Sequence, residues 1–453
     1  MRKRMILSAV ACIAGIFAWA GGPDGKWNGR LQINPQVGLN LSINISAAET
    51  ENPVVTMDSP DQGAYGLPMT IDFLSSDSIN ISNSQLMMRY SGKIEGEKIT
   101  GEFSQGMLSL PLEFSLTTES MLPKRPQTPQ PPFQYSTEEV TFNGGGEGVT
   151  LAGTLTVPSD VSAETPVVVM VTGSGLQNRD EEIFGHKPFA VIADYLAGKG
   201  IASLRYDDRG FGDSTGDAAT ATTADNALDA IAALDYLKSL DKFGKYGLLG
   251  HSEGGEIAYM IGSGESAPDF LISIAGPAVR GDSILLFQNR HAMEAGGMPQ
   301  DIINEFCSAT DSVFSYRINN PGITISDDVF EGFYPGWTQK PVYKELAESV
   351  ERNWKNPSPW MDYFISYSPA DDLRNVKAPL LIIYGEKDTQ VPPEMNYNAA
   401  RQNSSAAEIV VMPELNHLMQ HAVTGELAEY ATIEETISPE VLQIIASFIL
   451  KNK

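Results

Sequence analysis

The chain has 453 residues and a formal net charge of −26, with 42% hydrophobic and 19% charged residues. That length exceeds one ordinary core, so two domains are the expectation. So acidic a balance repels phosphate backbones and argues against nucleic acid as a partner, while the ordinary hydrophobic share marks a globular protein.

The first residues read as a secretory leader, 1–20. Arg2, Lys3 and Arg4 make a positive start, Met5 to Phe17 is a short apolar run, and Ala18-Trp19-Ala20 offers a small-x-small cleavage site. The run is too short for a stable membrane span, and no later segment is apolar for long enough. An exported protein, periplasmic or extracellular, is expected. Lipidation at Cys12, after Ala9-Val10-Ala11, is the second choice. A cut after Ala20 leaves Cys307 without an intrachain partner, so it reads as a small buried hydrophobe, and no metal cluster is indicated.

From residue 21 to 122 the hydrophobic pattern has period two. Leu39, Leu41, Ile43 and Ile45 alternate, as do Ile71 with Phe73, Ile79 with Ile81, and Leu110 through Leu116. This predicts a small all-β domain, a sandwich or barrel. Asp58 to Gly63 and Gly101 to Gly106 read as turns. Pro123, Pro126, Pro129, Pro131 and Pro132 then mark a stiff linker, 123–135.

From 136 to 453 strands alternate with helices. Strands are expected at Glu138–Phe142, Thr150–Val157, Val167–Val171, Ile201–Tyr206, Tyr246–Leu249, Phe270–Ile274, Leu380–Tyr384 and Glu408–Met412. Helical spacing marks Lys187–Ala197, Asp225–Leu240 and the segment that starts at Ser438-Pro439-Glu440. The implied class is α/β, a mostly parallel sheet with helices on both faces. Between about 277 and 373 the strand rhythm stops and aromatics crowd in, so a helical lid over the strand ends is expected, with its aromatics setting specificity.

The chemistry gathers at Gly250-His251-Ser252-Glu253-Gly254, a G-x-S-x-G pattern with a strand before it and a helix after it. A serine hydroxyl is a poor nucleophile without an adjacent base, and the base needs an orienting acid. Of five histidines, His417 is chosen because it follows the last strand closely, ahead of His421; His251 is expected to point elsewhere. Asp388, just past Leu380–Tyr384, is the acid, with Glu386 the weaker rival. The backbone N–H of Glu253 is one oxyanion donor, and Ser174 or alternatively Gly175 supplies the other. One such donor is typically worth about 3 kcal/mol of transition-state stabilisation.

The stretches Gly250–Gly255, Arg205–Ser214, Gly385–Pro392 and Leu415–His417 together resemble the α/β-hydrolase superfamily. More narrowly they are similar to secreted bacterial serine carboxylesterases with an N-terminal β domain. Thr172 stands where many relatives carry His, and Asp207, Asp208 and Arg209 match a turn held by ion pairs. The resemblance implies hydrolysis of short to medium acyl esters without a cofactor. Two alternatives remain, a serine peptidase of the prolyl oligopeptidase type and an esterase of acylated polysaccharide whose β domain grips glycan. The substrate is expected to be a small-molecule or glycan-linked ester.

Overall fold

The computed structural model describes residues 23–453 except 34–37, 51, 61–63, 85, 107, 119–123 and 340. The expected leader, Cys12, and parts of the Asp58–Gly63 turn and of the proline run lie outside these residues. The chain divides into two units, Met1–Pro123 and Lys124–Lys453. Among the described residues no helix is long and apolar enough to cross a membrane.

The first unit is one antiparallel sheet of nine strands: β1 Gly25–Gln32, β2 Gly38–Ser46, β3 Val54–Ser59, β4 Ala64–Pro68, β5 Thr70–Leu74, β6 Ser78–Asn83, β7 Met88–Glu95, β8 Lys98–Gln105 and β9 Leu108–Thr117. Their order is β4-β3-β2-β1-β9-β8-β7-β6-β5. The edge strands β4 and β5 are joined by Met69 alone. A flat sheet of this width would separate its edges by roughly 40 Å, and one residue advances the chain by about 3.8 Å. The sheet therefore curls into a barrel-like shell, filled by Trp27, Ile43, Ile79, Ile81, Tyr90, Ile99 and Phe114.

Two expectations for this unit fail for local reasons. Gly101 to Gly106 is not a turn as a whole, because Gly101–Gln105 lies within β8. A Cβ on Gly101 would come within 2.1 Å of the Ser91 carbonyl, so this glycine serves close strand approach. Phe73 is exposed because a register shift between Ile71 and Phe73 turns its side chain to the other face.

The second unit carries an eight-stranded sheet of β10 Tyr135–Asn143, β11 Thr150–Pro158, β12 Pro166–Val171, β13 Ala202–Tyr206, β14 Lys245–His251, β15 Phe270–Ile274, β16 Leu380–Gly385 and β17 Glu408–Met412. The order is β10-β11-β13-β12-β14-β15-β16-β17. The pairs β10–β11 and β11–β13 are antiparallel and the remainder parallel. Strands β12 to β16 are buried along almost their whole length, with β12, β15 and β16 nearly continuous apolar runs, as a sheet covered on both faces requires.

Helices α1 Pro188–Ala197, α2 Thr223–Ser239 and α3 Glu253–Ser263 fall between the central strands. The segment after β15 is helical: α4 Gly281–Ala295, α5 Gln300–Asn319, α6 Asp327–Glu331, α7 Pro341–Trp354, α8 Pro359–Ser366 and α9 Ala370–Asn375. Helices α10 Pro393–Asn403, α11 Leu427–Tyr430 and α12 Pro439–Lys451 complete the unit. Ser438 caps α12 through its Oγ, which accepts from Glu440 N–H at 3.2 Å.

The proline run is less free than a spacer. Arg125 donates to the carbonyls of Phe184, Ala431 and Ile433, and Gln127 bonds both Thr436 and Ile437. From residue 124 onward the segment thus belongs to the second unit.

Candidate active site

Strand β14 lies near the middle of the sheet, between β12 and β15. At its end the chain turns sharply into α3. Ser252, at the corner, has φ 53° and ψ −118°, a conformation that costs a non-glycine residue about 1–3 kcal/mol. Its own N–H is satisfied by the Ile274 carbonyl at 2.8 Å. The flanking glycines are steric necessities. A Cβ on Gly250 would sit 1.8 Å from the Gly254 oxygen, and one on Gly254 would sit 2.1 Å from the Val171 oxygen. The G-x-S-x-G spacing is therefore the condition for α3 to fold back against β14 and β12.

Ser252 opens on a cavity of about 230 Å³ that is also lined by Gly173, Ser174, Glu253 and His417. His417 stands in the loop after β17. Asn416 shapes that loop, its Oδ1 accepting from the N–H groups of Leu418 and Gln420 at 3.0 Å each. The His417 Nδ1 lies 2.7 Å from Asp388 Oδ2. Asp388, in the turn after β16, is buried, and its Oδ1 accepts from the N–H groups of Gln390 and Val391 at 2.8 Å each. One carboxylate oxygen is thus held by the backbone and the other by the imidazole. This fixes the Nδ1–H tautomer and leaves Nε2 as the lone-pair nitrogen.

The rivals lie elsewhere. Glu386 accepts from Glu414 N–H at 2.9 Å, and His421 is exposed and bonded to Glu435. His291 pairs with Glu426 at 2.7 Å. His186 is buried between Thr436, Tyr430 and Gln420.

The loop after β12 supplies the opposite wall. Gly173 N–H is taken by Glu181 Oε1 at 2.7 Å. Among the described residues no acceptor takes the N–H of Ser174 or of Glu253, and both residues line the cavity. Gly175 lines a neighbouring cavity of about 480 Å³, which Ser174 also borders. Thr172 donates its hydroxyl to Asp208 Oδ1 at 2.7 Å, and Gln177 N–H donates to Asp208 Oδ2 at 2.8 Å.

Asp208 therefore departs from the expected ion-paired turn. Asp207 does pair with Arg179, and Arg209 pairs with Asp229. Asp208 tethers the loop at Thr172 and Gln177, and burial pushes its carboxyl up to about 7 against those hydrogen bonds.

Two further groups stand beside these, of which His251 was expected to point elsewhere. His251 joins the cavity wall, its ring centroid 4.8 Å from that of His417. Trp360 of α8 donates its indole N–H to both carboxylate oxygens of Glu253 at 2.9 Å. Burial pushes Glu253 up, and Trp360 is the foremost partner holding it down.

The lid aromatics mostly face one another. Phe306, Phe314, Phe330, Tyr334, Trp337 and Trp354 are buried in the lid's own core, with Cys307 beside them. Of the lid aromatics, Trp360 and Phe364 reach the cavity, together with Ile284, Leu285 and Gln288 of α4. The signal was present in the spacing of Trp360 and Phe364, four residues apart on one helical face.

The sequence and fold were compared with known proteins. Esterase EstD of Thermotoga maritima is 27% identical over 300 residues, which span 65% of this chain and 62% of that protein. The chain thus spans less than two thirds of the length of that curated relative. Among solved structures, Pyrococcus furiosus esterase Pf2001 aligns with a TM-score of 0.44 at 16% identity, over 74% of this chain and 99% of that one. Est1E from Butyrivibrio proteoclasticus, solved with ferulic acid bound, aligns with a TM-score of 0.43 at 17% identity, over 69% and 98%. The model of the family described as "Alpha/beta hydrolase family" matches residues 168–429. That match runs from within β12 past His417 and covers more than half of the chain, and the chain belongs to the alpha/beta hydrolase family.

Proposed function

We propose that the chain is a carboxylic-ester hydrolase with Ser252 as nucleophile, His417 as general base and acid, and Asp388 as the group that orients His417. The observation that carries this reading is the shared cavity. Ser252 at its strained corner and His417, backed by buried Asp388 at 2.7 Å, line the same 230 Å³ space.

In this reading Ser252 Oγ attacks the acyl carbonyl while His417 Nε2 takes its proton. The imidazolium so formed is stabilised by Asp388 and then protonates the leaving alcohol. Water repeats the cycle on the acyl-enzyme. The N–H groups of Glu253 and Ser174, which line the cavity and have no acceptor among the described residues, would hold the negative charge that develops on the carbonyl oxygen, with Gly175 the alternative to Ser174. The small cavity, walled by Ile284, Leu285 and Phe364, suits a short to medium acyl chain.

A second reading concerns the alcohol. Gln177, Gln288 and Gln390 line the cavity, and no Lys or Arg is among its lining residues. Neutral amides of this kind suit a hydroxyl-rich, uncharged alcohol, as in an acylated polysaccharide. Export, on the strength of the basic start and apolar run of 1–20, fits the same proposal.

The test is turnover of p-nitrophenyl esters together with labelling by a fluorophosphonate. Ser252→Ala and His417→Ala are each expected to remove nearly all turnover, and Ser252→Ala to abolish labelling. Full turnover in purified Ser252→Ala would sink the proposal. Faster cleavage of a peptide panel than of the esters would redirect it toward a peptidase.

A further inference from the structure

His251 is buried and meets an oxygen at each ring nitrogen. Its Nδ1 lies 2.9 Å from Glu181 Oε1, and its Nε2 lies 3.0 Å from the main-chain carbonyl of His417. A carbonyl oxygen only accepts. The carboxylate oxygen already accepts the Gly173 N–H at 2.7 Å, so it too acts as an acceptor here. A neutral imidazole has one N–H, and either tautomer would set a lone pair against one of these oxygens. An imidazolium donates to both.

We propose that His251 is a positioning residue, a buried imidazolium paired with Glu181, which locks the loop carrying His417 to the loop carrying Gly173 and Ser174. The proposal rests on Ser252 and His417 being nucleophile and base.

The connectivity supports it. Glu181 Oε1 is shared between the main chain of the loop after β12 and the side chain of His251, and His251 immediately precedes Ser252. The Nε2 contact then fixes His417 by its backbone, while Asp388 fixes it by its ring. Nucleophile, base and candidate oxyanion donor are thus tied through one ring. The charged and titratable groups around it are Glu181 after β12, Asp388 after β16, His417 after β17, and Glu253 of α3 on the same cavity wall. Burial opposes a charge on His251, whereas Glu181, the His417 carbonyl and Asp388 favour it, and the balance holds the imidazole above its ordinary range. Because Glu181 neutralises the cation locally, the pair adds little net charge beside His417 when that ring takes a proton.

The experiment uses the full chain labelled with ¹⁵N-histidine, whose five histidines are resolved by NMR and assigned with His251→Asn. At pH 8 both ring nitrogens of His251 are expected to carry protons. A bare ring nitrogen on His251 at pH 8 would overturn the proposal. A kinetic arm uses Glu181→Gln, which keeps the side chain's shape but lacks the charge that holds the cation. Its kcat for p-nitrophenyl acetate is expected to fall about 10²-fold, with KM within about twofold, as for a small misplacement of reacting groups. The ratio of variant to wild-type kcat should rise as pH is lowered from 8 to 6, because protonation re-forms the imidazolium. A purely structural role predicts a pH-independent ratio, and that result would also overturn the proposal. Failure of the functional reading appears separately, as turnover retained in Ser252→Ala whatever the charge on His251.

Discussion

The strand-end loops and the helical lid both wall the cavity, yet they are held by opposite means. In the loops the buried groups are polar and tied in a chain: Gly173 to Glu181 within one loop, then between loops Glu181 to His251, His251 to His417, His417 to Asp388, and Thr172 to Asp208. In the lid the buried core is mainly apolar and rich in aromatics, with buried Arg317, paired with Asp362, as a polar exception. Phe314 meets Trp354 with ring centroids 4.3 Å apart, and Trp337 lies 5.1 Å from Tyr334 and 5.2 Å from Tyr343. Hydrogen bonds fail over fractions of an ångström, whereas apolar packing tolerates exchange if volume is kept. The difference teaches where each kind of change should be felt: in turnover for the loops, in stability and substrate choice for the lid.

The largest expected effect tests the loop half of that statement. Asp388→Asn keeps the side chain's size, and its carbonyl oxygen can still accept from Gln390 and Val391. Its amide N–H₂ would then face His417 Nδ1 and favour the wrong tautomer. A drop of about 10⁴-fold in kcat is expected, the size seen when such an acid is made an amide elsewhere. Thermal melting should change little. A loss within tenfold would break the comparison. The lid half is tested by Trp337→Ala, which removes a nearly fully buried indole from the aromatic core. It should cost about 3–5 kcal/mol in chemical denaturation, as other large core truncations do, while kcat of the folded fraction stays close to wild type.

The two regions also differ in how far their sequence could be read. The elbow was legible because its requirements are local: Gly250 and Gly254 are set by contacts within the turn and with the strand beside it. Asp388 and His417 were legible because each falls just past a strand, where a parallel sheet gathers its functional groups. Glu181 and Asp208 were not. In Arg179-Asp180-Glu181 a carboxylate looks like ordinary surface charge, and its partner His251 is 70 residues away. The lid's helical character followed from composition, but spacing alone does not say whether an aromatic turns toward its neighbours or toward the cavity. Phe330 turned inward and Phe364 toward the cavity. In the β unit, one extra residue at Ile71–Phe73 reversed a face that alternation had assigned.

A network of polar groups should respond to pH where an apolar core does not, and His186 sharpens the comparison on that point. Burial first, then Arg125, pushes its imidazole down to about 4, against about 6.5 in an unfolded chain. Between those values the unfolded chain binds a proton that the folded chain refuses, so stability falls as pH drops below about 6.5 and the loss is complete near 4. The decrease from pH 7 to pH 5 amounts to about 2 kcal/mol. Urea midpoints of the wild type and of His186→Asn, compared at both values, should show a smaller acid loss in the variant. Equal losses would remove His186 as the cause.

The smallest effect is expected where the two regions meet, at the Trp360–Glu253 hydrogen bonds. Trp360→Phe keeps an aromatic face on the cavity and deletes the N–H. Hydrogen bonds to a charged group are worth about 1.5–3 kcal/mol, but the full amount should not appear in turnover. Glu253 is buried, and Thr223, Ser174 and Asn226 hold its carboxyl down alongside Trp360, so losing the indole does not leave it without a partner. Ser252, His417 and Asp388 make no contact with the deleted group through any hydrogen bond described above. The expected result is a loss of about tenfold or less in kcat/KM, carried by KM because the change falls on the cavity wall. A loss of about a hundredfold in kcat would mean that the elbow takes its geometry from the lid as well as from the loops, and the division between the two would not hold.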